Sequence, residues 1–518
     1  VTDETVDVCV IGSGASGAVA AHFLCRQGHS VLILEEGGRV TPGDSLRGLE
    51  KTWQPALTPA PDGGFADSGR PWTAQALGGG MTLFGGIMFR YRTVDFDAGK
   101  YMSTDALDPR WPLSYHDLRP YYEEVERLVG VARADHADPL DPGSGPAPMP
   151  PHPYSRAGAL LARAGRARGL RPFPTPLAIT SVPYRGRPRC HRCGPCNEHV
   201  CPTGARADLA TLLLDPLVAE GSLSVRLAAR ALRINLDRCG VAGSVEWLDL
   251  RHRTRRTTRA RAVVVAANAV QSAALLLRST GPGAAHGLGN GHDMVGRGLS
   301  FKVSGYRWGR VPAPDTGRPE NGPFSSVAFS DYYLDPEIPS GLGGMLYEAD
   351  PVRDRYRDGH LTLRLHFLAG DQPRARNRVR LATRRDAFGV PRLVMDYRTH
   401  PVDESRRDHL AGHAVDLLRA AGVHEVHAES SNHHLGSRHL HGGCRAGHDP
   451  RSSVVDGDGR VHEAENVYVV DGGFFPFAGG VNPTLTIQAN ALRIAHRVAA
   501  QLGTDAPPPI RPDEEAHQ

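Results

Sequence analysis

Lysine is scarce in this chain: of its 60 basic residues, only Lys51, Lys100 and Lys302 are not arginine. Aromatic residues make up 6 %, and nowhere do the roughly 20 consecutive apolar residues of a membrane-spanning helix occur. Each shortage removes a class of function. An arginine-heavy balance with a net charge of only +4 reads as compositional bias, not as a polyanion-binding surface. The basic run "RHRTRRTTRAR", Arg251 to Arg261, has no interleaved aromatics on which bases could stack. It is expected to be a solvated hairpin, with no nucleic-acid partner. The missing apolar run predicts no membrane span. The first residues enter a strand pattern without the basic stretch, apolar stretch or cleavage site of a secretory signal, which sets the expectation of a cytoplasmic protein.

What is present is a soluble, globular composition, 40 % hydrophobic and 22 % charged, over 518 residues, enough for two or three core-bearing units. Two stretches look loose. One is the proline-rich connector "ADPLDPGSGPAPMPPHP" from Ala137 to Pro153; the other is the tail 503–518, expected to be disordered. There is no internal repeat.

The N-terminal stretch "VDVCVIGSGASGAVAAHFLCRQGHSVLILEEGG" is the most readable. Val6 to Ile11 predicts a buried strand, and Ala18 to Arg26 a helix packed on a parallel sheet. Between them, Gly12, Gly14, Ala15 and Gly17 form a G-x-G-x-x-G turn whose glycines permit a tight bend, close approach to a pyrophosphate, and close helix–strand packing. The helix N-terminus then holds the diphosphate. A second strand, Val31 to Leu34, ends in Glu35, placed to accept the ribose hydroxyls of an adenosine. This unit leaves NAD and FAD equally open, since both carry ADP.

A second glycine cluster, "ALGGGMTLFGGIMFRYR" (Ala76 to Arg92), and the closing segments "RHLHGGCRAG", "SVVD" and "VYVVDGGFFPFAGGVNPTLTIQANALRIA" resemble, in order and spacing, the glucose-methanol-choline (GMC) oxidoreductases. Together with "ARALRI" and "AVVVAANAVQSAALLLRS", the resemblance covers nearly the whole chain. It implies an α/β fold: a doubly wound, Rossmann-like FAD-binding domain built from discontinuous segments, with an inserted antiparallel-sheet substrate domain. The expected division is 1–300 and 431–502 for FAD and 301–430 for substrate. "FRYRTVDFD", "RPFPTPLAI", "QSAALLLRS" and "VVDGGFFPFAGGVNPTLTIQA" look closest to the aminoglycoside-biosynthesis branch, whose members oxidise the 6'-hydroxyl of paromamine-like pseudosugars.

The resemblance implies the following roles. Gly79, Gly80, Ala231, Asp471, Gly472 and Thr484 join the N-terminal residues around FAD, with Asp471 alternatively a helix cap. His439 of "HLHGG" is the base, and Asn482 of "VNPT" hydrogen-bonds the substrate oxygen. His441 is the rival base, because residues i and i+2 of an extended segment share a face. His433 and His434 read as rim or structural residues. Phe84 stands where the family often places Asn, and the Gly78 to Gly86 loop offers no histidine for a covalent link, so FAD is expected to be noncovalent. Six strands between Leu299 and Tyr397 are expected to form one sheet over the flavin. For a cationic sugar substrate, Asp331 and Glu348 are the acids expected to meet its ammonium groups. Oxygen or a redox partner takes the electrons.

Four of the eight cysteines, Cys190, Cys193, Cys196 and Cys201, fall within twelve positions as C-x2-C-x2-C-x4-C-P. The last interval is one residue longer than in bacterial ferredoxins, and a single run suits zinc poorly. Some sugar dehydrogenases of the family carry an iron–sulfur cluster on such a run, which makes a cluster-wired dehydrogenase the alternative to an oxidase. A disulfide, a reduced loop and a zinc knuckle stay open beside the cluster, and no metal ligand is assigned. A further alternative is a flavoprotein lyase without redox turnover.

Overall fold

The computed structural model describes residues 4–42, 57–59, 65–67, 74–194, 196–313, 322–338, 340–350, 356–357, 359–430 and 439–503. His433, His434 and the tail 504–518 lie outside them. No helix among these residues is long and apolar enough to cross a membrane.

The first sheet has seven strands. Val8, Cys9, Val10 and Ile11 are all buried, as a strand covered on both faces requires. Strand Glu4–Ile11 lies between Val31–Glu35 and Thr254–Val265, parallel to both, and Leu223–Leu227 extends the sheet beyond Val31–Glu35. Thr254–Val265 has two different partners along its other edge. Its first half pairs antiparallel with Ala242–Asp249, and its last residues pair in parallel with Val467–Val469. Ala229–Leu236 completes that side. The strands of one sheet thus come from widely separated parts of the chain, as expected for an FAD-binding unit built from discontinuous segments. The basic run forms the turn and first half of the hairpin strand Thr254–Val265.

Helix Ala15–Arg26 begins three residues earlier than its apolar spacing predicts, because the glycine turn feeds straight into it. It packs against helix Thr484–Leu502, which brings the C-terminal segment back onto the N-terminal turn. Glycine is required at position 17 by contact: a Cβ there would meet the Gly12 carbonyl oxygen at 2.0 Å.

The second sheet is antiparallel, in the order His427–Ser430, Val303–Pro312, His360–Ala369, Gly344–Glu348, Val327–Phe329, Phe173–Pro174, with Tyr356–Arg357 on the side of His360–Ala369. Helices Arg156–Ala167 and Pro401–Ala420 share its apolar core. The last two of the six predicted strands, found as Arg378–Arg385 and Pro391–Asp396, do not join this sheet; they pair with each other, and Pro391–Asp396 pairs with Leu57–Pro59, which in turn pairs with Phe65–Asp67, in a separate four-stranded sheet. Alternating apolar residues predict strands, but partners are chosen by long-range packing.

The proline-rich connector has no helix or strand of more than a bridge, yet it is anchored. Asp138 pairs with Arg92, Met149 is buried, and His152 Nε2 lies 2.9 Å from the Ile179 carbonyl oxygen.

Candidate active site

The parallel strands end on a cavity of about 710 Å³ that runs from the glycine turn to the antiparallel sheet. Gly12, Gly14, Ala15, Glu35, Gly79, Gly80, Ala231, Asp471, Gly472 and Thr484 all line it. Gly17 does not; its place is in the helix–strand contact. At the floor, two glycine segments nearly touch: Gly79 has φ +58°, and a Cβ on it would meet Gly14 Cα at 2.7 Å. Bare backbone here leaves room for a ligand that side chains would fill, next to the N-terminus of helix Ala15–Arg26.

Glu35 is buried at the end of its strand. Its Oε2 accepts from the Ser13 amide (3.0 Å) and hydroxyl (2.6 Å), and its Oε1 from the Gly37 amide (2.7 Å). Burial raises its pKa, partly offset by these donors. Asp471 is a helix cap that also borders the cavity. It caps the short helix Gly472–Phe474 through the Gly473 amide, accepts from Ser272, and still lines the cavity. Its pKa is pushed up to about 6 by burial against those hydrogen bonds.

At the far end, His439 and Asn482 meet. The Asn482 Nδ2 lies 3.2 Å from His439 Nε2 and donates to the Tyr347 hydroxyl at 3.4 Å; the Tyr347 hydroxyl in turn bonds His366 Nδ1. Asn482 Oδ1 is buried on this wall without a partner among the described residues. A buried oxygen left open beside a cavity marks a place for a ligand's donor.

His441 does not line the cavity. It is fully buried, with Nδ1 3.1 Å from the His439 carbonyl oxygen, and its ring lies beside Phe475. Burial, then the charges of Lys302 and His439, hold it well below the ordinary histidine range. The bridge between Ser300 and His441 ties it to the chain behind the wall, so the two histidines do not share a face.

The two nominated acids also lie off the cavity. Asp331 is held by the Arg171 amide and guanidinium (3.2 Å for the latter). Glu348 is fully buried in the opposite direction, accepting from Ser155 and from the Ser326 amide (2.8 Å) and hydroxyl (2.6 Å). Strand alternation is the reason: Tyr347 faces the cavity, so Glu348 faces away. Asp350, two residues on, is an acid of this segment that does line the cavity, with Oδ2 3.3 Å from the Asn197 amide.

Sequence reading missed Tyr306, Arg364 and His366. His366 stacks on Tyr306 (centroids 4.4 Å apart, 17° between planes), and the Arg364 guanidinium lies 3.8 Å from the other ring's centroid, that of Tyr306. The available signal was polar alternation, Thr362, Arg364, His366, in an otherwise apolar strand. Lys302 was also missed. Fully buried behind His441, it donates to the carbonyls of Ala478 and Gly479 (2.8 Å for the latter), bracing the turn that carries Asn482.

No disulfide joins any of the eight cysteines in this structure. Cys190, Cys193, Cys196 and Cys201 line one small cavity of about 20 Å³, and Asn197, next to Cys196, lines the large one.

A bare-backbone cradle, a carboxylate at the end of the second strand and an open polar wall fit a dinucleotide at one end and a reacting group at the other. Sequence and fold comparisons agree. The chain is 48 % identical to 6'''-hydroxyparomomycin C oxidase of Streptomyces lividus, covering 97 % of this chain and 93 % of that protein. It is 48 % identical to paromamine 6'-oxidase of Streptomyces fradiae, covering 96 % and 92 %. Its fold matches the crystal structure of pyridoxine 4-oxidase from Mesorbium loti with a TM-score of 0.63 at 20 % identity, over 95 % of this chain and 98 % of that one. Residues 9–303 and 373–491 match the N- and C-terminal models of the GMC oxidoreductases, and the chain therefore belongs to that family of FAD-dependent alcohol oxidases and dehydrogenases.

Proposed function

We propose that this enzyme oxidises a primary alcohol of an aminoglycoside precursor, the 6'-hydroxyl of a paromamine-like pseudosugar, to the aldehyde. The observation that carries this reading is the His439–Asn482 pair on the cavity wall of a chain 48 % identical, over nearly its whole length, to paromamine 6'-oxidase. FAD, held noncovalently along the glycine cradle, supplies the hydride acceptor. The chain's own residues do the rest. His439 Nε2 and Asn482 Nδ2 converge from 3.2 Å apart, so a hydroxyl entering between them gives its proton to Nε2 while Nδ2 donates to the oxygen as negative charge develops. Tyr347, bonded to both Asn482 and His366, fixes the amide.

Asp350 supplies the one carboxylate argument for a cationic sugar at this end of the cavity. Asp350→Asn is expected to weaken binding of an aminosugar several-fold more than that of a neutral sugar alcohol. Equal losses for both would remove the charge argument.

His439→Ala tests the reaction itself. It should retain FAD but slow anaerobic flavin reduction by about 10²-fold or more, the usual worth of a positioned base. Near-normal reduction would end this assignment. Reduction of the flavin by substrate also separates oxidation from the lyase alternative, which leaves the flavin oxidised. Oxygen is taken as the electron acceptor. A second reading, transfer to a protein partner through the cysteine loop, is favoured by one observation: Asn197 puts that loop against the large cavity one residue from Cys196.

A further inference from the structure

Away from the cavity, Asp335, His409 and His413 form, among the described residues, the one group of three or more His, Cys, Asp or Glu whose donor atoms all lie within 4.8 Å of one another. The helix sets two of them. His409 and His413 are four residues apart on Pro401–Ala420, so their imidazoles stand on one face. Asp335 reaches them from the loop after strand Val327–Phe329.

The triangle has the dimensions of a coordination face. Asp335 Oδ2 lies 3.1 Å from His409 Nε2 and 3.3 Å from His413 Nε2, and the two nitrogens are 2.9 Å apart. Tetrahedral zinc with nitrogen and oxygen ligands at about 2.0–2.1 Å has ligand–ligand edges of about 3.3–3.4 Å. Widening by a few tenths of an ångström admits the ion. Hydrogen bonds alone satisfy this triangle poorly, because each Nε2 has one site, for a proton or a lone pair, to direct at two neighbours.

The ligands are also held in place. The Tyr332 ring stacks on His413 at 3.7 Å and 12°, and the Glu337 amide donates to Asp335 Oδ1 (3.0 Å), which turns Oδ2 to the imidazoles. Side-chain exposures of 11 % for Asp335, 23 % for His409 and 17 % for His413 leave an open side for water.

We propose that Asp335, His409 and His413 bind a divalent ion of the zinc class, with water as the fourth ligand. None of the three lines the large cavity, so the ion is a structural clip and not part of alcohol oxidation. It fastens helix Pro401–Ala420 to the loop on which Tyr333 sits. The Tyr333 hydroxyl bonds Asp95 and accepts from the Gly480 amide (2.7 Å), two residues before Asn482.

The test uses the FAD-loaded enzyme after chelator treatment, titrated calorimetrically with Zn²⁺ and melted with and without it. Wild type is expected to bind one equivalent more than Asp335→Asn and His413→Ala, and to gain a few degrees in Tm that both variants lack. Subtracting the variants removes zinc taken up by the cysteine loop. Should His413→Ala fail to fold, Asp335→Asn, which keeps the side-chain shape, carries the comparison alone. Equal zinc stoichiometry and equal Tm shifts in wild type and Asp335→Asn would overturn the proposal.

Discussion

Lys302, one of only three lysines, is fully buried, an unusual environment for its type. Burial lowers its pKa to about 7, with Asp95 and Asp371 opposing the shift. The ordinary value is 10.5, so as pH falls the unfolded chain takes up this proton before the folded one does. Stability is therefore lost between about pH 10.5 and about pH 7. Lys302→Met removes the titration while filling similar space. The Tm of wild type minus that of the variant should fall as pH is lowered from about 10 to about 7. A difference independent of pH would show that Lys302 keeps its ordinary pKa. The absolute Tm of the variant carries a separate cost, since it leaves the Ala478 and Gly479 carbonyls without this donor.

Among the elements, the meeting of two glycine turns is the most demanding. Gly79 needs a left-handed backbone, which any L-residue resists, and it also passes within contact of Gly14. Gly79→Ala is expected to lower FAD retention about tenfold or more, because only a backbone shift relieves the contact, and that shift deforms the cradle. Gly169→Ala separates the two causes. Gly169 has a similar φ of +79° with open space around it, so its variant meets only conformational strain. If both variants keep FAD equally well, the close approach has no part in binding.

At the scale of the whole molecule, the cysteine loop bears on where the electrons go. The cysteine loop packs beside the large cavity, which suits a relay, but burial holds the Cys190 and Cys196 thiols above their ordinary range, while at Cys201 hydrogen bonds from Arg206 and Thr203 outweigh burial and favour the thiolate. Enzyme purified without air is expected to show only flavin absorption, no iron in proportion to FAD, and peroxide formed on turnover in air. Iron and sulfide stoichiometric with FAD would move the conclusion to a cluster-wired dehydrogenase.

Local pattern sufficed for the N-terminal strand, glycine turn and helix, since spacing and backbone freedom act over a few residues. The cavity-lining glycines and the closeness of His439 and Asn482, 43 residues apart, were legible only through motifs in register with a known family. Tertiary structure alone decided the rest. It set His441 behind the wall, turned Glu348 away by strand alternation, gave Asp331 to Arg171 and put Asp350 on the cavity. It split six similar strands between two sheets, and it carried Asp335 to two histidines more than 70 residues away. Side-chain direction depends on which partner a strand or loop finds, and that is fixed by packing across the chain rather than by neighbours in sequence.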